Sequence, residues 1–492
     1  MSETESKSEG AAEVQEVSLL DQAIAATTNT APDTTKELLS TAVSQSLEGT
    51  LVWEKNVAET IKNAVAKIDV IMSKQVSEIM QQDKFRELEG SWRGLEKVVR
   101  ESDLGASLKI RIADFNKEEL LEQFEDAPAV DRSPVFEALY QAEFGTAGGE
   151  PYGLLIGDYK FNYKDEDVAL LTYMAETAAA THAPFIAAAD CSMFDFDSFE
   201  RFDEGRPVAA GFDSPLYAAW NAFRESDESR YVSLTLPATL ARQPYGKSGL
   251  KAKSFDYNEL DVDIDGNSRP KNNSNLVWSN AAYEMALKMS QSFTAFGWCT
   301  AIRGLENGGK VEQLPTLTYK TNAGDLVQHC PIEVNLTDER EKELSDLGFL
   351  PLVHYKNTNY GVFIGGQTTQ KPKTYADPDA TSNAAISARL PYIMASGRIA
   401  HYLKVMGRDK LGSNLEAGEV QKFLQSWIDQ YTNSGAVGNA ERSKTPLAES
   451  SIEVVEQAGR PGAYSAVAYL RPWLQLEELT TSVRMVAKIP GG

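Results

Sequence analysis

Tyr231-Val-Ser-Leu-Thr-Leu236 is the stretch on which the fold turns. Its six residues carry no charge, and Pro237 stops the run. A short uncharged run with this ending reads as a strand buried on both faces. Two upstream runs read the same way, Tyr152-Gly-Leu-Leu-Ile-Gly157 and residues 183–189. Helical stretches lie between them, at 167–181 and 215–223. Strands alternating with helices predict a mixed α/β fold around a mostly buried sheet.

Working outward, residues 108–115 alternate apolar and polar side chains and are expected to form a further strand. Residues 247–275 are polar and rich in Gly, Asn and Ser, which predicts an exposed loop. A helix is expected at 279–296, a short one at 338–347, and two more at 383–406 and 416–431, with 300–380 otherwise irregular or β-rich. Towards the N-terminus, Val57, Ile61, Val65, Ile68, Met72, Val76 and Ile79 step by three and four, an apolar stripe along one long helix. Phe85, Leu88, Trp92, Leu95 and Val99 continue it on a second helix. Such a stripe faces either this chain's core or another chain, and spacing does not separate the two.

The chain has 492 residues, 42% of them hydrophobic, enough for a sizeable core. Its formal net charge is −23. That surplus argues against tracking nucleic-acid phosphates and against docking on an anionic membrane. Nine acidic and two basic side chains fall in residues 1–50. Within this acidic arm Val17, Leu19, Leu20 and Ile24 suit a short amphipathic helix, either unfolded until bound or a linear recognition element. Cys191, Cys299 and Cys330 are few, odd in number and widely spaced, which fits a reducing cytoplasm better than a disulfide framework. The start is acidic and polar, unlike a secretory signal, and no apolar run approaches the roughly 18 residues of a membrane span.

Candidate chemistry is thin. Asp261-Val-Asp-Ile-Asp-Gly266 opens like a calcium loop, but the twelfth position is Asn272 instead of Glu, so a solvated acidic turn is expected. Ala241-Arg-Gln-Pro-Tyr-Gly-Lys-Ser248 resembles a phosphate loop, but Ala241 stands where Gly is needed and Pro244 removes a backbone donor. His182, His329, His354 and His401 form no metal-binding spacing and are expected to be structural. No Gly-x-Ser-x-Gly nucleophile elbow occurs. No catalytic residue, metal ligand or cofactor site is assigned. At the C-terminus, residues 463–470 read as a strand with Tyr464 and Leu470 on one face and Val467 and Tyr469 on the other, and 480–489 alternate with Val483, Met485 and Ile489 on one face. This last strand completes the chain's own sheet or is donated to a neighbour.

Several blocks together carry a family resemblance. They are Phe85-Arg-Glu-Leu-Glu-Gly-Ser-Trp-Arg-Gly-Leu95, Gly149-Glu-Pro-Tyr-Gly-Leu-Leu-Ile-Gly-Asp-Tyr159 and Leu234-Thr-Leu-Pro-Ala-Thr-Leu-Ala-Arg-Gln-Pro-Tyr-Gly246. Further on come Gly297-Trp-Cys-Thr-Ala-Ile-Arg-Gly304, Leu347-Gly-Phe-Leu-Pro-Leu352, Leu390-Pro-Tyr-Ile393 and Arg398-Ile-Ala-His-Tyr-Leu-Lys404. In order and spacing the chain resembles the large subunit of the type VI secretion contractile sheath, the TssC/VipB family.

The resemblance implies a phage-tail-sheath-like core with N-terminal helices and exchanged C-terminal strands, and a structural, non-enzymatic role in the cytoplasm. It implies a helical tube built with the small subunit TssB/VipA around an inner Hcp tube, started from a baseplate and dismantled after contraction by a ClpV-type AAA+ ATPase. Expected boundaries are an arm at 1–35, a docking helical segment at 36–104, a core at 105–460 and exchanged strands at 461–492. On this resemblance Val17, Leu19, Leu20 and Ile24 would meet the unfoldase, and Val57, Ile61, Val65, Ile68 and Met72 the small subunit. Val483, Met485 and Ile489 would enter a neighbour's sheet, and Glu419, Lys422 and Asp429 would lie near the inner tube. The competing readings are a cytoplasmic α/β enzyme with an unrecognised site and a soluble adaptor that recruits an ATPase.

Overall fold

The computed structural model describes residues 57–204, 207–253, 255–263, 265–457, 463–473 and 475. The expected unfoldase-binding residues Val17, Leu19, Leu20 and Ile24 and the strand-exchange residues Val483, Met485 and Ile489 lie outside them.

A six-stranded sheet organises the chain. Its strands are β1 (Leu155–Phe161), β2 (Phe185–Ala189), β3 (Val232–Leu236), β6 (Lys310–Val311), β9 (Phe349–His354) and β10 (Gly361–Phe363), in the order β1-β2-β3-β9-β10-β6. The first four run parallel and β10 and β6 are antiparallel additions. Every residue of β2 and β3 is buried, as an uncharged parallel strand covered on both faces should be. Two short antiparallel pairings flank the sheet: β4 (Thr239–Leu240) with β5 (Trp278–Ser279), and the hairpin β7 (Leu317–Lys320) with β8 (Leu326–His329).

Alternate residues of each strand enter different cores. Phe185 and Ala187 join a large cluster with helices α3 (Lys117–Glu125), α4 (Asp165–Thr181), α5 (Ala218–Glu225) and α7 (Asp338–Asp346), where Trp220 stacks on Phe349 at 5.7 Å. Ile186, Leu350 and Leu352 join a second cluster with α6 (Ala281–Phe296) and α9 (Leu390–Asp409). Local chemistry sets the ends of these helices. Asn280 caps α6 by accepting from the Ala282 N–H, and Gly297 closes it at φ 79°, a left-handed geometry that glycine adopts without strain.

Three sequence readings change. Residues 108–115 form no strand: Leu108 and Ile110 are half-buried while Lys109 and Arg111 reach out to Glu150, Glu143 and Tyr152. Alternation there reports one apolar face and no ladder. The helix expected at 383–406 is two, α8 (Pro378–Ser387) and α9, because Pro391 has no N–H to continue the first and instead opens the second. Residues 247–275 are only partly exposed. Tyr257, Glu259, Asp263 and Ser268 are buried. The Asp263 carboxylate accepts backbone N–H groups from Lys320, Asn267 and Asp265, which hold its pKa well below the usual carboxylate range. The calcium-like turn is thus a hydrogen-bonded staple tying this loop to β7.

A third, smaller core forms beyond α9. There α10 (Ala417–Ile428) and the hairpin of β11 (Leu447–Glu456) with β12 (Tyr464–Pro472) enclose Leu424, Ile428, Ile452 and Val454. The first half of α9 sits in the sheet's core and Ile399 in this one, so α9 joins the two.

His401 lies at that joint. One ring nitrogen donates to the Thr181 carbonyl at 2.7 Å, while the other is buried without a hydrogen-bond partner. Burial, with Arg398, His182 and Lys404 nearby, pushes its pKa down to about 4. The unfolded chain therefore binds this proton more readily than the folded one. Stability contributed by the neutral ring is complete above pH ~6.5 and is lost as pH falls towards about 4, by up to roughly 3 kcal/mol. Urea titrations at pH 7 and pH 4.5 should show a drop that His401→Gln visibly shrinks. An equal drop in the variant would refute the assignment.

Candidate assembly surfaces

The two N-terminal helices, α1 (Val57–Met80) and α2 (Asp83–Glu101), carry the longest exposed apolar stripe. Along α1, Val65, Ile68, Met72 and Ile79 are exposed, with Val70 and Ile71 beside them. Ile61 is half-buried, and Val57 contributes the first backbone turn. Phe85, Leu88, Trp92 and Val99 carry the stripe along α2, with Ile68 53% and Trp92 62% exposed. Of the two directions left open by spacing, the described helices take the outward one. An apolar face of this length in water is the usual mark of a surface covered by another chain.

The opposite face of α2 explains why the stripe turns outward. Gly90, Gly94 and Val98 are buried at intervals of four. A Cβ at Gly90 would collide with the Trp278 carbonyl, and one at Gly94 with Ser279 and Tyr283. Glycine lets α2 lie flat on β5 and α6 by backbone contact, so its large apolar residues remain on the far side. Lys97 and Glu284 lock the crossing at 2.6 Å.

An ion cluster that sequence reasoning did not find anchors the pair. The Arg242 guanidinium meets Glu259 at 2.6 and 2.9 Å and Glu89 of α2 at 2.9 Å, all three buried or nearly so. Burial opposes charge on Arg242, but the hydrogen bonds it donates to both carboxylates hold its pKa above the ordinary value. Burial also opposes charge on Glu89, and Arg242 and Arg93 more than offset it, so its pKa is lowered. The backbone carbonyl of Glu259 accepts from Ser77 of α1 at 3.5 Å, and Ser77 meets the Tyr257 hydroxyl at 3.2 Å. The residues that resemble a phosphate loop are therefore used internally: Arg242 holds α2, and Lys247 donates to the Asp265 carbonyl. Partners this far apart in sequence give no local pattern to read.

The β11–β12 hairpin offers the second surface. Tyr464, Ala468 and Leu470 pack inward, while Val455, Val467 and Tyr469 are exposed on its outer face. The sequence anticipated β12 and its two faces but not β11. Ile452 and Val454, two apart and separated by Glu453, were the available signal. The third surface is α10 and the turn that follows it, where Glu419, Lys422 and Asp429 are exposed along the solvent side. The structure thus leaves the candidate docking residues on one region and these three on another.

The histidines do ordinary work. His329 bonds the Cys330 carbonyl, His354 the Thr358 carbonyl, and His182 ends α4 at φ 54°. Among the described residues, no group of three His, Cys, Asp or Glu side chains is placed to hold a metal ion, and no helix is long and apolar enough to cross a membrane.

Comparison with known proteins gives a consistent family. Residues 62–370 match the VipB model, described as the EvpB/VC_A0108 tail sheath N-terminal domain. Residues 379–489 match the companion model, a tail sheath gpW/gp25-like domain. The chain is 41% identical over 478 residues to the type VI secretion system sheath protein TssC1 of Pseudomonas aeruginosa, covering 96% of this chain and 94% of the relative. Among solved structures, it is remotely similar to the sheath of an extracellular contractile injection system, the PVC sheath complex in its contracted state. That match has a TM-score of 0.35 at 10% identity over 64% of this chain and 68% of the other. The baseplate structure of the anti-feeding prophage gives 0.37 at 12% identity over 81% and 87%. The two sequence models and the high coverage of the relative decide the matter: the chain belongs to the VipB/TssC family of type VI secretion sheath proteins, and its role is structural, not enzymatic.

Proposed function

We propose that this chain is the large subunit of a two-component sheath that works in the cytoplasm, and that its small subunit, TssB/VipA, covers the α1–α2 stripe. The exposed run from Val65 to Val99 is the observation that supports this reading. Two helices held by a buried ion cluster present that run as a rigid face, so a partner helix meets a formed surface and loses little entropy there.

Neighbouring protomers then connect through strands. Val483, Met485 and Ile489 of one chain pair with the β11–β12 hairpin of the next, since main-chain hydrogen bonds accept a strand from any chain. Contacts that repeat without closing build a helical tube. The tube encloses the Hcp inner tube, with Glu419, Lys422 and Asp429 facing it, grows from the baseplate and contracts. The segment with Val17, Leu19, Leu20 and Ile24 is read by a ClpV-type ATPase when the contracted tube is dismantled.

Co-expression with the small subunit followed by negative-stain electron microscopy tests this directly. Tubes are expected from the full chain. Deletion of residues 480–492 is expected to leave heterodimers intact and remove the tubes. Tubes that persist after the deletion would end the strand-exchange assignment, and monodisperse particles from the full chain would end the sheath reading of the pair.

A further inference from the structure

The two edges of the β11–β12 hairpin are not equivalent. Helix α10 runs along β11 and directs two glutamine side chains at its backbone. Gln425 Oε1 accepts the Ile452 N–H at 2.8 Å, and its Nε2 donates to the Ser450 carbonyl at 3.4 Å. Gln421 Oε1 accepts the Val454 N–H at 3.4 Å. Farther along, the Asn433 N–H donates to the Leu447 carbonyl at 3.0 Å. One carboxamide that accepts from one backbone group and donates to another two residues away imitates a neighbouring strand.

The spacing makes this possible. Residues four apart on a helix rise by about 6 Å. Outward backbone groups two apart on a strand are separated by about 6.8 Å. Gln421 and Gln425 thus fall in register with Val454 and Ile452. Both glutamines are half-buried, and Gln425 is further fixed by donating to the Asp429 carboxylate at 2.7 Å.

Pairing also settles what faces outward on the other strand. Ile452 lies opposite Ala468, and Val454 opposite Ala466. In an antiparallel ladder, hydrogen-bonded and non-hydrogen-bonded pairs alternate. Because Ile452 and Val454 give their N–H groups to glutamines, the hairpin's own bonds fall at Ser451, Glu453 and Val455. The N–H and C=O groups of Ala466 and Ala468 then point away from β11, and among the described residues they meet no partner.

We propose that Gln421 and Gln425 form an edge cap that closes β11 to strand addition, so that the hairpin accepts a neighbouring copy's strand along β12 alone. This rests on the strand-exchange reading above and adds direction to it. An unpaired edge invites any extended chain. Two open edges would let protomers join at two places and branch, whereas one open edge permits a single connection per hairpin.

Hydrogen exchange read by mass spectrometry on the full chain tests the cap. In the unassembled wild type, the peptide covering β11 should exchange slowly. In Gln421→Leu/Gln425→Leu it should exchange about tenfold faster, the effect of losing a hydrogen bond of ordinary net strength, with β12 unchanged. Gln425→Glu, which keeps the acceptor and repels the Ser450 carbonyl, should give a smaller increase and serves if the double variant does not fold. In assembled tubes, β12 should gain protection in the wild type, while in the double variant both strands should gain it and the tubes should branch or aggregate. Unchanged β11 exchange in both variants overturns the proposal. If β11 responds as expected but β12 gains no protection on assembly, the cap stands and the strand-exchange reading fails.

Discussion

Ile68→Asp combined with Trp92→Asp should abolish co-purification of the small subunit, weakening the complex by on the order of 100-fold or more, while thermal unfolding of the chain alone stays nearly unchanged. The two halves of this expectation have separate causes. Both residues are more than half exposed, so neither supports this chain's core, and surface changes of that kind usually cost within about 0.5 kcal/mol. In a covered interface the same residues lose water. Central tryptophans typically contribute 2 kcal/mol or more, and a carboxylate left in an apolar contact adds a desolvation cost. Pull-down of a tagged small subunit gives the affinity, and a melting curve of the free chain gives the control. Retained binding would mean that the stripe is not the docking face. A collapsed melting curve would mean that it belongs to this chain's own interior.

The second large effect concerns the cluster beneath that face. Arg242→Met should destabilise the chain by about 3–5 kcal/mol, because it removes the guanidinium that pairs with the buried Glu259 carboxylate and leaves Glu89 with Arg93 alone. The loss should also reach function, since Glu89 belongs to α2 and Glu259 receives Ser77 of α1. Faster proteolysis of residues 57–101 should therefore accompany the drop in stability. Adding Glu89→Gln and Glu259→Gln to Arg242→Met removes the stranded charges and should recover a good part of the loss, as expected for residues that act as one network. Chemical denaturation of the three proteins measures this. A single variant within 1 kcal/mol of wild type, or no recovery in the triple variant, would show that the cluster is incidental.

The secondary elements were largely legible in the sequence because their causes are local. Uncharged runs marked β2 and β3, three-and-four spacing marked α1 and α2, and the alternation of residues 463–470 marked β12 with its correct faces. The errors arose where a local pattern has two physical outcomes. Residues 108–115 alternate, yet only Leu108 and Ile110 rest partly on the body while Ile112 and Phe115 are exposed, and alternation is silent about whether a backbone ladder exists. Residues 247–275 look like a solvated loop by composition, yet Glu259 and Asp263 are drawn inward by partners at Arg242 and Lys320 that composition does not reveal.

The family was also visible in ordered blocks of sequence, and the two family models and the P. aeruginosa relative agree with it. Those blocks include residues that pack the N-terminal helices against the body. Gly90 and Gly94 sit in the first of them, and only the packing explains why they are glycines.

By itself, then, the sequence determined the buried strands β2 and β3, the helices α1 and α2 and the strand β12, since each follows from residues close together in the chain, and it showed the family through the order and spacing of its blocks. The tertiary structure decided which way the α1–α2 stripe faces, what anchors it and which edge of the final hairpin is covered. Those answers depend on contacts such as Glu89 with Arg242 and Gln425 with Ile452, made between segments that folding brings together. An amphipathic helix has the same spacing whether its apolar face is inside or outside, and an edge strand has the same alternation whether or not a glutamine lies against it.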